Sequence, residues 1–412
     1  MKILHTLAQL PTRTGSGVYF SNLVDGLEKK GMEQALVYAV QAPYTFDFSQ
    51  KTFPVAFQND EIPFPIAGMS DEMPYNNTVY SHMTEEMIAT WRAAFKKRLV
   101  EAKETFKPDL IVAHHLWYLT DMVLELFPDT PVVGICHGTD LRQGEKHDDL
   151  LERYTTHMNE LDYVFALSEK DKAAISRMYA IPENKITVTG GGYNQNVFND
   201  QGIWRHEKTI KIIYAGKLSR AKGVYELAKA YPNLKRKYPE IEMELIGEES
   251  LEKKDRIFEC AHYKEGFKIH NVIDQKALGA HMKTCDIFVL PSYYEGLGLI
   301  AIEALACRMR LVTSELEGLL ELLGDDFLKS DVVEVVPLPK LYNTDGPFKL
   351  EIDDYVQGLE EAIEKQILAV RENRPFSDAC YDHVRSYAWS EIVETEYRLM
   401  CEVYKNHREQ RA

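Results

Sequence analysis

No apolar run in these 412 residues approaches the roughly 20 needed to span a bilayer. The opening Met1-Lys2-Ile3-Leu4-His5 turns polar too soon for a secretory signal. Cysteine is scarce and scattered: Cys136, Cys260, Cys285, Cys307, Cys380 and Cys401 share no metal-ligand or redox spacing. Several sit in apolar runs, as reduced core thiols of a cytoplasmic protein would. Basic residues are outnumbered, 48 against 64 acidic ones, giving a formal net charge of −16. That balance opposes non-specific nucleic-acid binding, which needs a cationic surface to displace counterions. It reads as a source of solubility and leaves room for a local cationic pocket. Short-period repeats and low-complexity tracts are lacking as well.

What is present is an ordinary globular composition, 45% hydrophobic and 27% charged, in a chain long enough for two or three domains. Lys2 to Leu7 reads as a strand, Pro11 to Gly17 as a turn-rich loop, Val18 to Lys30 as a helix and Gln34 to Val40 as a strand. This is a β-α-β unit, the building block of a parallel sheet. Residues 41–83 give no clear pattern. Thr84 to Phe106 reads as an amphipathic helix with Met87, Ile88, Trp91, Phe95 and Leu99 on one face. Buried-type strands follow at Leu110–Ala113, Pro131–Cys136, Tyr163–Leu167 and Ile186–Thr189.

The pattern restarts after residue 200. Strands are expected at Lys211–Tyr214, Glu242–Ile246, Ile287–Leu290 and Arg310–Thr313, and helices at Gly223–Lys237, Ala277–Lys283 and Leu299–Cys307. A last helix covers about Trp389 to Tyr404. The alternation implies a doubly wound α/β structure in two halves, joined near residues 194–206.

Two stretches carry chemistry most clearly. Ile287 to Cys307 places an apolar strand, a loop with Glu295, Gly296 and Gly298, and a helix containing Glu303 in succession. Ligands of open parallel sheets bind beyond the carboxyl ends of strands, where glycines admit close backbone approach and a new helix offers N–H groups to an anion. Glu295 and Glu303 are spaced to accept hydrogen bonds from two separated hydroxyls, such as those of a sugar and a ribose. A helix cap plus a solvated glutamate would look the same. The second stretch, Ala215-Gly216-Lys217-Leu218-Ser219-Arg220-Ala221-Lys222-Gly223, sets cations beside a helix start. That suits a diphosphate leaving group; a solvated basic turn is the plainer alternative.

The first of these resembles the signature of retaining glycosyltransferases of family 4, which have GT-B architecture. Pro291-Ser292, Glu295-Gly296-Leu297-Gly298-Leu299 and Glu303-Ala304 match its pattern, with Leu297 in place of the usual aromatic residue. The resemblance implies that Glu295 contacts the donor sugar and Glu303 the ribose. It implies phosphate contacts from Lys222 and from Lys217, which stands where arginine is usual and so lacks the bidentate fork. Arg308-Met309-Arg310 replaces the family's Gly-x-Pro after the helix. Thr14-Gly15-Ser16-Gly17-Val18 matches the family's glycine-rich loop, with Gly17 preferred over Gly15 as the residue facing phosphates and acceptor. His137, after the strand Pro131–Ile135, matches a histidine that borders the donor sugar, although a lone histidine there is more often structural. His114 and His115 could line an acceptor pocket or simply pack.

The similarity also reaches Ala166 to Glu169 and Val188 to Phe198, and leaves residues 41–83 and 326–350 uncovered. It implies two Rossmann-like domains with a cleft between them: 1–195 for the acceptor, 206–385 for the nucleotide-sugar, and 386–412 as a helix crossing back to the first domain. The implied activity is metal-independent transfer of a hexose or related sugar, UDP-linked by first choice, to an unidentified glycan, lipid or small-molecule hydroxyl, without cofactor. No Asp-x-Asp pair occurs, which disfavours the metal-dependent alternative fold. Rival readings are a catalytically inert nucleotide-sugar-binding protein, a GT-B-like epimerase and a phosphorylase. Lys96, Lys97 and Arg98 are read as a solvated helix face rather than a membrane contact.

Overall fold

Val-, Ile- and Leu-rich runs form strands buried on both faces, as parallel sheets covered by helices require. The computed structural model describes all residues except 13, 71–72, 343–345 and 412. Its contacts divide the chain into two compact units, residues 1–191 with 389–412, and residues 192–388.

The first unit contains β1 (Lys2–Leu7), β2 (Glu33–Gln41), β3 (Lys51–Phe57), the two-residue pair β4 (Ala67–Gly68) and β5 (Thr78–Val79), β6 (Leu110–His114), β7 (Val132–Ile135), β8 (Tyr163–Ala166) and β9 (Ile186–Val188). Seven join in one parallel sheet ordered β3-β2-β1-β6-β7-β8-β9. Leu4 of β1 pairs in register with Ala35 on one side and Ile111 on the other. The helix Glu85–Thr105 is started by Thr84, whose hydroxyl accepts from the Met87 N–H, with Glu85 and Glu86 complementing the helix dipole. It buries Ile88, Trp91, Phe95, Leu99 and Ala102 against the sheet side of the core, while Met87 is only partly covered.

Two differences from the sequence expectations stand out here. The first helix begins at Gly15, not Val18, because Thr14 caps it by accepting from the Gly17 N–H at 3.0 Å. The expected 11–17 loop is therefore shorter, and its residue 13 lies outside the described residues. The unassigned 41–83 stretch supplies the edge strand β3, whose burial alternates along KTFPVAF. The final helix, Trp389–Arg411, packs on the first helix of this same unit, burying Ile392, Val393, Met400 and Val403.

The second unit repeats the plan with β10 (Ile210–Ala215), β11 (Ile241–Ile246), β12 (Phe267–His270), β13 (Ile287–Leu290), β14 (Arg310–Ser314) and β15 (Val333–Val336). They form a parallel sheet ordered β12-β11-β10-β13-β14-β15. Its core is one apolar cluster that includes Ile212, Ile213, Leu227, Leu245, Phe288, Val289, Ile302 and Leu305. No helix among the described residues is long and apolar enough to cross a membrane.

Candidate active site

In each sheet the strand order reverses beside the unit's first strand, between β1 and β6 and between β10 and β13. Ligands of open α/β sheets bind beyond the carboxyl ends of strands at such points. The loops that follow β10 and β13 hold Gly216 to Gly223 and Pro291 to Gly298, so the second unit's candidates flank one switch point.

These two loops are locked together. Gly223 sits in the left-handed region at φ +64, and a Cβ there would fall 1.9 Å from the Pro291 carbonyl oxygen. The Tyr293 N–H donates to the Ala221 carbonyl at 3.0 Å. The result is a contact between two predicted residues: Lys222 Nζ lies 2.8 Å from Glu295 Oε2. Lys222 also donates to the Tyr294 carbonyl at 3.2 Å, and the buried Ser292 hydroxyl donates to Glu295 Oε1 at 2.6 Å. Ser292 thus fixes the carboxylate from behind, a role the sequence pattern left unassigned.

Gly298 caps the helix Leu299–Ala306 at φ +67. Gly296 has open space where a Cβ would go, while its own carbonyl faces Gly318 so closely that a Cβ on Gly318 would meet it at 2.4 Å. Leu297 and Leu299 pack partly against the core. Glu303 lies on this helix, where burial pushes its carboxyl up to about 8, and the Gln275 amide donates to its Oε1 at 3.3 Å. Gln275 had no signal in the sequence, since it comes from a different helix 28 residues away. Gly216 lies across from Gly247, which has no room for a side chain: its Cβ would be 2.1 Å from the Gly216 oxygen. Lys217 is exposed, its carbonyl accepting from the Tyr214 hydroxyl at 2.9 Å. Ion pairing with Glu295 is shown for Lys222 and not for Lys217.

The Arg308 that replaces a family glycine has its own physical reason. It keeps the left-handed backbone, φ 56, and its guanidinium lies 3.6 Å from the Tyr381 ring centroid and 3.3 Å from Asp200 Oδ2. Stacking and ion pairing compensate for the strain a glycine would avoid.

In the first unit, Gly15 opens the first helix and Gly17 packs on the preceding loop, where a Cβ would meet Leu10 O and Thr12 N at 2.7 Å. His137 keeps a partly exposed face and belongs to a histidine cluster: its Nε2 is 3.2 Å from His114 Nδ1, and its ring centroid is 4.7 Å from that of His115. Burial, reinforced by His115, holds its pKa well below the ordinary value, so the ring is neutral. Burial likewise brings His115 down to about 3 and His5 to about 4. Asp140 positions both histidine loops, accepting from the Leu116 N–H at 2.8 Å and the His137 N–H at 3.1 Å. Tyr19 meets the His137 ring edge-on at 5.3 Å and the Trp389 ring at 4.8 Å, and its hydroxyl donates to Glu396 of the last helix. Tyr19 and, through it, Trp389 and Glu396 of the last helix reach the histidine from distant parts of the chain and had no signal beside it, while Asp140, three residues from His137, was given no role.

The family described as Glycosyltransferase Family 4 matches residues 13–196, and that described as Glycosyl transferases group 1 matches residues 198–334. A glycogen synthase of Mycobacterium tuberculosis is 27% identical over 249 residues, covering 55% of this chain and 57% of that protein. A D-inositol 3-phosphate glycosyltransferase of Paenarthrobacter aurescens is 31% identical over 162 residues, 36% of this chain and 39% of that one. The chain thus spans about half the length of the curated relatives it matches. Among solved structures, a sucrose-phosphate synthase from Thermosynechococcus elongatus superposes with a TM-score of 0.68 at 16% identity, over 98% of this chain and 100% of that one. An Anabaena protein solved in complex with UDP and glucose gives 0.61 at 15% identity, over 97% and 99%. At such identities these likenesses establish the fold.

Proposed function

The chain belongs to the family 4 glycosyltransferases and has their GT-B fold, and from that premise we propose that it transfers a sugar from a nucleotide-sugar to an acceptor hydroxyl with retention of configuration. The observation that carries this reading is the Lys222–Glu295 pair at 2.8 Å, set between two interlocked loops at the switch point of the second sheet. A cation, an acid and a glycine-capped helix start at one strand end form a receptor for a diphosphate with a polyol attached.

In the proposed mechanism Lys222 leaves part of its contact with Glu295 to meet the diphosphate. Lys217 and the N–H groups of Gly296 to Leu299 add positive potential as charge develops on the leaving oxygen. These groups do the work that a cation does elsewhere, so the transfer is metal-independent. Glu295 then accepts from a sugar hydroxyl and Glu303 from the ribose. At neutral pH Glu303 holds its proton, so it can donate one hydrogen bond as well as accept. Gly216, Gly296 and Gly298 let the backbone approach the phosphates. For the first unit we assign His137 to the donor sugar, where a neutral imidazole both donates and accepts, and Gly15 and Gly17 to the loop that shapes the site. The acceptor oxygen attacks from the face the diphosphate leaves, its proton passing to a departing phosphate oxygen. UDP is the nucleotide of first choice, as in the Anabaena protein described above.

Incubation of the purified chain with UDP-, GDP- and ADP-sugars tests the reading, with nucleoside diphosphate release measured and the released or transferred sugar followed by NMR. Slow turnover of one donor with the anomeric configuration kept is expected. Binding without turnover would support the inert protein instead, and an inverted product would overturn the retaining mechanism.

A further inference from the structure

One cluster among the described residues has the makings of a metal site, and it stands apart from the residues discussed so far. Glu244 of β11, His270 at the end of β12 and His281 on the helix Gln275–Met282 bring one ligand atom each within 4.8 Å of one another. His270 Nε2 is 2.9 Å and His281 Nε2 is 2.8 Å from the same oxygen, Glu244 Oε2. β11 and β12 lie on the far side of β10 from β13, so this cluster is separate from the Lys222–Glu295 pair.

The geometry points to a binding site for one transition-metal ion of the Zn²⁺ class, held by Glu244, His270 and His281. Two imidazoles and a carboxylate are a donor set for borderline cations and a poor one for Mg²⁺ or Ca²⁺, which take oxygen ligands. A tetrahedral ion about 2.1 Å from each ligand needs its donors roughly 3.4 Å apart. The two N···O separations must therefore open by about half an ångström, a small rotation for side chains that keep access to solvent. The imidazoles do: their side chains are 36% and 24% exposed, against 5% for Glu244. The carboxylate is thus a buried anchor and the histidines an entry path, with the fourth position left to water.

The surroundings fit. His270 donates its Nε2–H to Glu244 Oε2 at 2.9 Å, and its Nδ1 faces the Asn271 carbonyl at 3.5 Å, so an ion that replaces the Nε2 proton leaves an Nδ1–H directed at that carbonyl. The Cys285 thiol donates to the His281 carbonyl at 3.3 Å. Lys268, the nearest competing cation, is 3.8 Å from Glu244 Oε1 and pairs more closely with Glu242 at 2.7 Å. An ion here would clamp the edge strand β12 and its neighbour β11 to the helix Gln275–Met282.

The test uses the full chain stripped with a chelator and titrated with Zn²⁺ by calorimetry, with thermal unfolding followed in parallel. One ion per chain and a rise in melting temperature are expected. Co²⁺ should give visible absorption of a four- or five-coordinate centre, and Mg²⁺ and Ca²⁺ should leave the melting temperature unchanged. His270→Gln and His281→Gln should each weaken Zn²⁺ about a hundredfold or more while their metal-free melting stays near that of the parent chain. His270→Gln, at a strand end and a third exposed, guards against loss of fold. Absence of stoichiometric binding, affinity unchanged in both variants, or equal stabilisation by Mg²⁺ would overturn the assignment.

Discussion

Replacing Gly223 by alanine is the most direct probe of how the second unit's loops are held. The added Cβ would lie 1.9 Å from Pro291 O and 2.8 Å from Pro291 C, both backbone atoms with no side-chain freedom to yield. Relief to an ordinary contact requires the end of β13 to retreat by more than an ångström. The backbone at φ +64 adds about 1–2 kcal/mol for any residue bearing a Cβ. Overpacking of a tight contact adds about 1–3 kcal/mol. A destabilisation of roughly 3 kcal/mol follows, equivalent to a fall of about 6–12 °C in melting temperature for a unit of this size. Differential scanning calorimetry on Gly223→Ala reads this directly. Gly296→Ala is the control: nothing lies within 4 Å of its would-be Cβ, so stability should stay within about 0.5 kcal/mol of the parent. Parent-like stability for Gly223→Ala would refute the claim that the two loops interlock through this glycine.

Two further substitutions test separate parts of the account. Glu396 is fully buried, and burial pushes its pKa from 4.5 up to about 8 although Tyr19 and Thr189 donate to it. The folded state therefore keeps a proton that the unfolded chain gives up. The stability this group contributes is complete below pH 4.5 and is lost as pH rises towards 8, at about 1.4 kcal/mol per pH unit and of order 5 kcal/mol in all. Glu396→Gln should remove that slope in urea denaturation measured across the window; parallel profiles for parent and variant would sink the assignment. At position 308, glycine relieves about 1 kcal/mol of backbone strain while forfeiting a stacking of about 1–2 kcal/mol, whereas alanine forfeits the stacking and keeps the strain. Arg308→Gly should thus melt higher than Arg308→Ala, and the reverse order would show that left-handed strain is not what a glycine relieves at this turn.

Much of this was legible in the sequence where burial dictates residue type. β1, β6, β7, β10 and β13 are buried on both faces, so their continuous apolar runs announced them. β3, β12 and β15 lie at or near sheet edges with partly exposed residues, and their mixed composition hid them. The same contrast governs the site. Lys222 and Glu295 were readable because each sits in a strand-loop-helix turn with its own glycines. Gln275, Tyr19 and the bond of Asp140 to Leu116 act through contacts that only the tertiary fold assembles, whereas Ser292 reaches Glu295 from three residues away. The Glu244, His270 and His281 cluster is the extreme case: its members are 26 and 37 residues apart from the carboxylate, and no local motif connects them. The family's glycine at position 308 could be replaced because Tyr381, 73 positions on, supplies a compensating ring.

The central claim is that Lys222 meets a nucleoside diphosphate at the switch point of the second sheet. Calorimetric titration of UDP, GDP and ADP into the parent chain and into Lys222→Ala tests it most directly. A charge-assisted contact of about 1.5–3 kcal/mol predicts affinity for the preferred diphosphate roughly ten- to a hundredfold weaker in the variant, with unfolding otherwise intact. Equal affinity in the two proteins would contradict the account.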